Sequence, residues 1–275
     1  MEQDISTLAI RDQDRPYLDV ILKAIRICAQ YQPKFGQGSQ AGLTADQFAK
    51  LYGADPFYAW FGLDSPLVYA AHRAAGGMTS IYRQVGIGCQ WAFNRILRDA
   101  LGLSEAEAHW SYSIPGTGPK DRTLSLDARI PLHAVTQARI DVVAEWLRSA
   151  ALTLGLEGES IDALKGAVFE VRQGYKSKDS KRQNADIANA ANAYAAQYLP
   201  VVALLSTQID NDVALRYRRA RWLLLRGTIA GSNFDSTYLF FRDVVGYDLA
   251  GFFARNAPVL RQEINRILEK LLREA

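Results

Sequence analysis

The sequence predicts an α/β protein, a mixed sheet flanked by helices and preceded by a helical N-terminal region. Three observations lead there. Apolar residues recur at helical spacing over the first hundred positions, a Pro-Gly turn separates two short strand-like segments, and two apolar strand-like runs then bracket a polar helix. A chain of 275 residues can build one large domain or two modest ones. The texture changes near Ser104, which predicts a helical N-terminal region over 1–104 and a mixed α/β region over 105–275.

Taken in order, Pro16 suits the first turn of a helix in which Leu18, Ile21, Leu22 and Ile25 form one face. Thr44 and Gln47 make a capping box before Phe48 and Leu51. Ser65-Pro66 opens another helix that Gly76-Gly77 should end, and Ile81 to Leu101 reads as a further one. His109 to Ile114 and Arg122 to Ile130 are strands joined by the 115–119 turn, so a hairpin is expected. A helix over His133 to Leu154 follows. Ala167 to Tyr175, a helix from about Lys181 to Gln197, and Leu199 to Thr207 then make a β-α-β unit with parallel strands. Arg216 to Arg226 and Pro258 to Leu272 read as helices.

Composition removes several function classes. Cys28 and Cys89 are too few for a disulfide framework and lack zinc spacing, so buried thiols are expected. The three histidines, His72, His109 and His133, are not spaced as metal ligands. The acidic start from Met1 to Asp14 is unlike a signal peptide, and the apolar run Leu199 to Leu205 falls short of the ~18 residues a membrane span needs. A cytoplasmic protein without a membrane partner is the expectation. A net charge of +3 permits a polyanionic partner without demanding one.

The stretch from Ile161 to Arg182 carries the chemistry. Lys165-Gly166 reads as a turn that would fold Asp162 back beside the strand holding Glu170. A carboxylate between Phe169 and Val171 is costly to bury unless a cation meets it. Two such carboxylates suit Mg²⁺, which accepts a few carboxylate oxygens and retains waters. Strand alternation puts Arg172 on the face of Glu170, and Gln173 opposite unless Gly174 makes a bulge. Arg172, Lys176, Lys178, Lys181 and Arg182 set five cations against the single acid Asp179 in eleven residues. Beside paired carboxylates such a run makes a phosphate track; by itself it is a solvated face. Asp127, on the second hairpin strand, is the alternative acid, or else a turn residue or a partner of Arg129.

This pattern resembles the active-site region of type II restriction endonucleases of the PD-(D/E)xK nuclease superfamily, nearest the subgroup with Glu-x-Gln in place of Glu-x-Lys. The resemblance covers about 50 of the 275 residues. It implies a restriction-endonuclease-like sheet in a catalytic core over 105–275, with Asp162 and Glu170 as Mg²⁺ ligands. Arg172, Gln173 or Lys176 would then do the work of the motif lysine. Lys178-Asp179 falls at the Lys-Asp pair and Leu199 to Thr207 at the buried strand. Double-stranded DNA is the implied substrate and a homodimer the implied assembly, with 1–104 serving DNA binding or dimerisation. The departures are Ile161, where proline is common, and Gln173 one place late.

Other candidates have simpler readings beside them. Gln183, Asn184 and Asn189 carry side chains that can read adenine edges, or are residues of a polar helix. Arg216, Arg218, Arg219, Arg221 and Arg226 could grip DNA or line a charged face. Gly86-Ile87-Gly88 is no dinucleotide fingerprint, because no strand precedes it. A non-catalytic nucleic-acid-binding protein and a helical interaction or scaffold protein are the rival functions.

Overall fold

A computed structural model describes residues 11–35, 42–114, 121–174 and 180–273, with backbone alone at 114, 122, 180–187 and 273. It is a mixed α/β protein with a helical N-terminal region. Two compact units divide it: one combines 1–89 with 254–275, and the other is 90–253. The division falls inside two long helices and not near Ser104, and the C-terminal helical segment groups with the N-terminal region.

In the discontinuous unit, α1 (Arg15–Arg26) buries Leu18, Ile21, Leu22 and Ile25 as their spacing predicts. Asp14, fully buried before it, accepts from Arg255 Nε at 2.9 Å, Arg255 Nη2 at 3.1 Å and Asn256 Nδ2 at 3.2 Å. The capping box of α2 (Ala45–Gly53) forms, with Gln47 N–H donating to Thr44 Oγ1 at 3.3 Å and Thr44 N–H to Gln47 Oε1 at 3.0 Å. A short α3 (Pro56–Trp60) leads to α4 (Pro66–Leu101), which runs unbroken for 36 residues. The expected stop at Gly76-Gly77 does not occur. A Cβ on Gly77 would lie 2.7 Å from Leu271 Cδ1, and one on Gly88 2.9 Å from Ile21 Cα. These glycines admit neighbouring helices and end nothing, and tertiary packing offsets their low helix propensity.

The continuous unit begins in the second half of α4. After α5 (Glu105–Ala108), β1 (Trp110–Ile114) pairs antiparallel with β2 (Arg122–Leu126), the predicted hairpin. The second predicted strand breaks at Asp127. Its remainder, β3 (Ala128–Pro131), joins another sheet. Then come α6 (Ile140–Thr153), the one-turn α7 (Glu159–Asp162), β4 (Gly166–Arg172), α8 (Ser180–Ala195) and β5 (Tyr198–Leu204). The second sheet has the order β3-β4-β5-β6, antiparallel at its first pair and parallel at the others, so the β-α-β reading holds.

The helix expected over Arg216 to Arg226 is instead α9 (Asn211–Arg219) followed by β6 (Leu223–Leu225). Asp210 caps the helix early by accepting from Asp212 N–H at 2.9 Å, and Arg221 at φ 56° ends it in the left-handed region. Three consecutive buried leucines then form a strand parallel to β5 at the edge of the sheet; being buried, it has no polar alternation. After β6 come α10 (Thr237–Phe240), a π-helical turn at Phe241–Val245 and α11 (Leu249–Arg273).

Both faces of the larger sheet are covered. On one, Phe169 lies between the rings of Phe93 and Phe240, with centroids 5.6 and 5.5 Å away. On the other, Val168, Val202, Leu204 and Leu224 pack with Trp110, Ala190, Val213 and Trp222. Burial of each such side chain contributes about 1.5–3 kcal/mol.

Candidate functional site

β4 is apolar except at its end. Alternation places Val168, Glu170 and Arg172 on one face, and Glu170 is only 6% exposed. An ionised carboxylate at that depth needs a cation. Arg172 Nη2 supplies it, in a close ion pair whose side chains are 8% (Glu170) and 19% (Arg172) exposed. The shared face expected of Glu170 and Arg172 is therefore found.

Asp127 meets them at the junction of β2 and β3. Its N–H donates to Phe169 O at 2.9 Å, and its Oδ2 accepts Val171 N–H at 2.7 Å. The side chain thus accepts the Val171 N–H just beyond the point where the pairing of β3 with β4 ends. The Asp127 carbonyl turns to Asn94 Nδ2 at 3.1 Å. Gln90 Nε2 donates to Val171 O at 2.8 Å and to Asp127 Oδ2 at 3.3 Å. Asp127 contacts the residues on either side of Glu170, so the structure brings the alternative acid, Glu170 and Arg172 to one end of β4. Gln90 and Asn94 had been missed. Two amides four residues apart beside buried Cys89 and Phe93 are the signal that marks them.

Asp162 is not part of this group. Its side chain is 73% exposed and lies 3.9 Å from Arg148 Nη1, at the far end of β4 from Glu170. Glu170 stands four residues into the strand, or about 13 Å of extended chain from Gly166. The expected reversal at Lys165-Gly166 does not occur because Lys165 is already in the ladder. Its N–H donates to Gln197 O, and its carbonyl accepts Leu132 N–H, both at 2.8 Å.

The other predicted residues are distributed as follows. Gln173 follows β4, and its carbonyl accepts Ser206 N–H at 2.7 Å. Lys176 and Lys178 lie outside the described residues. Lys181, Arg182, Gln183 and Asn184 fall on the first half of α8, where the backbone alone is described. Asn189 is buried and accepts the Tyr112 hydroxyl, so it belongs to the packed interior and not to a base-reading surface. Arg216, Arg218 and Arg219 are exposed on the last turns of α9, where cations complement the helix dipole, while Tyr217 and Trp222 are core. Arg226 follows β6 and donates its backbone N–H to Asp235 O at 2.7 Å. Burial pushes the Cys89 thiol up to about 12, as fits an inert thiol.

Among the described residues, no group of three or more His, Cys, Asp and Glu side chains is placed to hold a metal. The carboxylates at that end of β4 are those of Asp127 and Glu170. Hard oxygens in that small number fit Mg²⁺, which fills its other positions with water. Among the described residues no helix is long and apolar enough to cross a membrane. No protein family matches the chain, and neither a curated protein nor a solved structure matches it.

Proposed function

We propose that the protein is a Mg²⁺-dependent endonuclease of double-stranded DNA, acting as type II restriction enzymes do. The observation that carries this reading is Asp127 seated between Phe169 and Val171, flanking Glu170 with Arg172 on the same face. A restriction-endonuclease-like core is consistent with the order of elements: an acid at the start of β3, an antiparallel β4 ending in Glu-Val-Arg, then a helix and a buried parallel strand. Asp127 and Glu170 would hold Mg²⁺, which when bound neutralises phosphate charge and acidifies water. Arg172 offers a fixed cation to the phosphodiester beside Glu170. Lys176, Lys178, Lys181 and Arg182 would follow the phosphates, and Gln183 and Asn184 would reach base edges. A symmetric cut site calls for a homodimer.

A second reading, a non-catalytic nucleic-acid-binding protein, is favoured by one observation: both carboxylates already have protein partners. Incubation with supercoiled plasmid, with and without Mg²⁺, decides between them. Nuclease action predicts Mg²⁺-dependent conversion to discrete linear fragments, lost in Glu170→Ala with DNA binding kept. Binding without any strand breakage would refute catalysis and leave the second reading.

A further inference from the structure

In the discontinuous unit, the segment around α3 turns large apolar side chains outward. Trp60 and Leu67 are each 81% exposed, Phe61 68% and Phe57 59%, with Tyr58 and Leu63 partly exposed beside them. Phe57, Tyr58 and Phe61 form a continuous surface, with Trp60, Leu63 and Leu67 close by in the chain. The rings of Phe57 and Phe61 lie 5.1 Å apart, Phe57 and Tyr58 5.8 Å, and Tyr58 stacks on Tyr52 at 4.7 Å. Tyr52 packs in turn on the buried cluster of Phe35, Phe48 and Tyr69. The exposed rings are therefore the outer edge of a packed core and hold a fixed geometry.

We propose that this surface is a homodimer interface, covered by the same surface of a second copy across a two-fold axis. The area fits. At about 150–250 Å² per aromatic side chain, Phe57, Trp60 and Phe61 alone expose about 300–500 Å². A stable interface buries about 800 Å² per partner, of which about 450–520 Å² is apolar. Leu67, Tyr58 and Leu63 bring the patch to that size, at the upper end of what a monomer leaves exposed. The charge fits too. From Leu51 to His72 the chain carries Asp55 and Asp64 and no lysine or arginine. That stretch offers a nucleic acid or an anionic membrane no cation to hold, whereas a surface with only two acids tolerates its own copy. Asp55 is also engaged locally, accepting Phe57 N–H at 2.9 Å. The inference deepens the homodimer of the proposed nuclease, but the patch itself needs no cleavage.

The test is the mass of the full chain by light scattering, without DNA or Mg²⁺, from about 1 to about 100 μM. The expected result is about twice 30.6 kDa at the higher concentrations. Trp60→Asp with Phe61→Asp should give a monomer with unchanged circular dichroism. Tyr82→Asp serves as control, since Tyr82 is exposed about 22 Å farther along α4, and it should stay dimeric. A wild-type monomer throughout the range would overturn the proposal. So would a double variant that stays dimeric, or a control that dissociates as readily. None of these outcomes depends on DNA cleavage, so the nuclease reading can fail while the dimer stands, and the reverse.

Discussion

At the scale of single residues, Asp127 combines two tasks that a main-chain carbonyl and an ionised side chain ordinarily divide. Its Oδ2 accepts the Val171 N–H, and its carboxylate stands beside the strand that holds Glu170. If the nuclease reading holds, Asp127→Ala and Glu170→Ala should each lower plasmid cleavage by at least about 10²-fold. Asp162→Ala should cleave at the wild-type rate, because that exposed side chain sits at the other end of β4. A stopped-time plasmid assay on the three variants measures this directly, and full activity in Asp127→Ala would reject the pair. Arg172 gives a prediction independent of catalysis. Removing it takes the ion-pair partner from a buried carboxylate, so Arg172→Ala should lower unfolding stability by about 3–5 kcal/mol in urea titration. Glu170→Gln with Arg172→Met should cost less than Arg172→Ala alone, since neither charge is then buried without its partner. The sequence made Glu170 and Arg172 legible through alternation. It could not rank Asp127 over Asp162, because that ranking rests on where Lys165 finds its hydrogen bonds, and these partners are more than thirty residues away.

At the scale of elements, local signals were read correctly where local physics decides and misread where packing decides. The Thr44 box, the Pro16 start and the β-α-β pattern depend on neighbours in sequence, and each forms. The glycines of α4 depend on Tyr31, Ile21 and Leu271, so their meaning changed from stop to close approach. The Leu223–Leu225 run could be helix or strand until Arg221 took a left-handed turn before it. That turn is held by a clasp between α8 and β6. Tyr194 hydroxyl donates to Arg221 O at 2.6 Å, and burial pushes the phenol up to about 12 from its usual 10. The sign follows from linkage. Above pH 10 the unfolded chain loses this proton first, so the clasp's contribution is complete below pH 10 and is lost as pH rises toward 12. Tyr194→Phe should therefore show a shallower fall of stability across that window than wild type, by denaturant titration at fixed pH values. Identical slopes would mean that the clasp does not titrate.

At the scale of the whole molecule, the chain is organised by contacts that no window of sequence contains. Residues 254–275 group with 1–89, and the joining groups are charged as well as apolar. Asp14 is fully buried against Arg255 and Asn256, and Glu263, also fully buried, meets Arg26 at 3.2 Å and Arg266 at 2.6 Å. Asp14→Ala should cost the discontinuous unit about 2–4 kcal/mol and lower its melting temperature by about 9–17 °C in calorimetry. If the two units melt separately, the transition of residues 90–253 should stay in place. A uniform shift of both would mean that they melt as one.

The order in which the chain is made turns that arrangement into a schedule. Residues 90–253 form one compact, continuous unit, and such a unit can fold while synthesis continues. Residues 1–89 emerge first but lack Val259, Ile267 and Leu271 until the final segment follows. At about 5–20 residues per second, the 164 residues between the two segments impose a wait of about 10–30 s. During that interval Asp14 and Arg26, at the two ends of α1, are without Arg255, Asn256 and Glu263. A ribosome stalled before residue 254 would hold the discontinuous unit incomplete, open to aggregation and to chaperone capture.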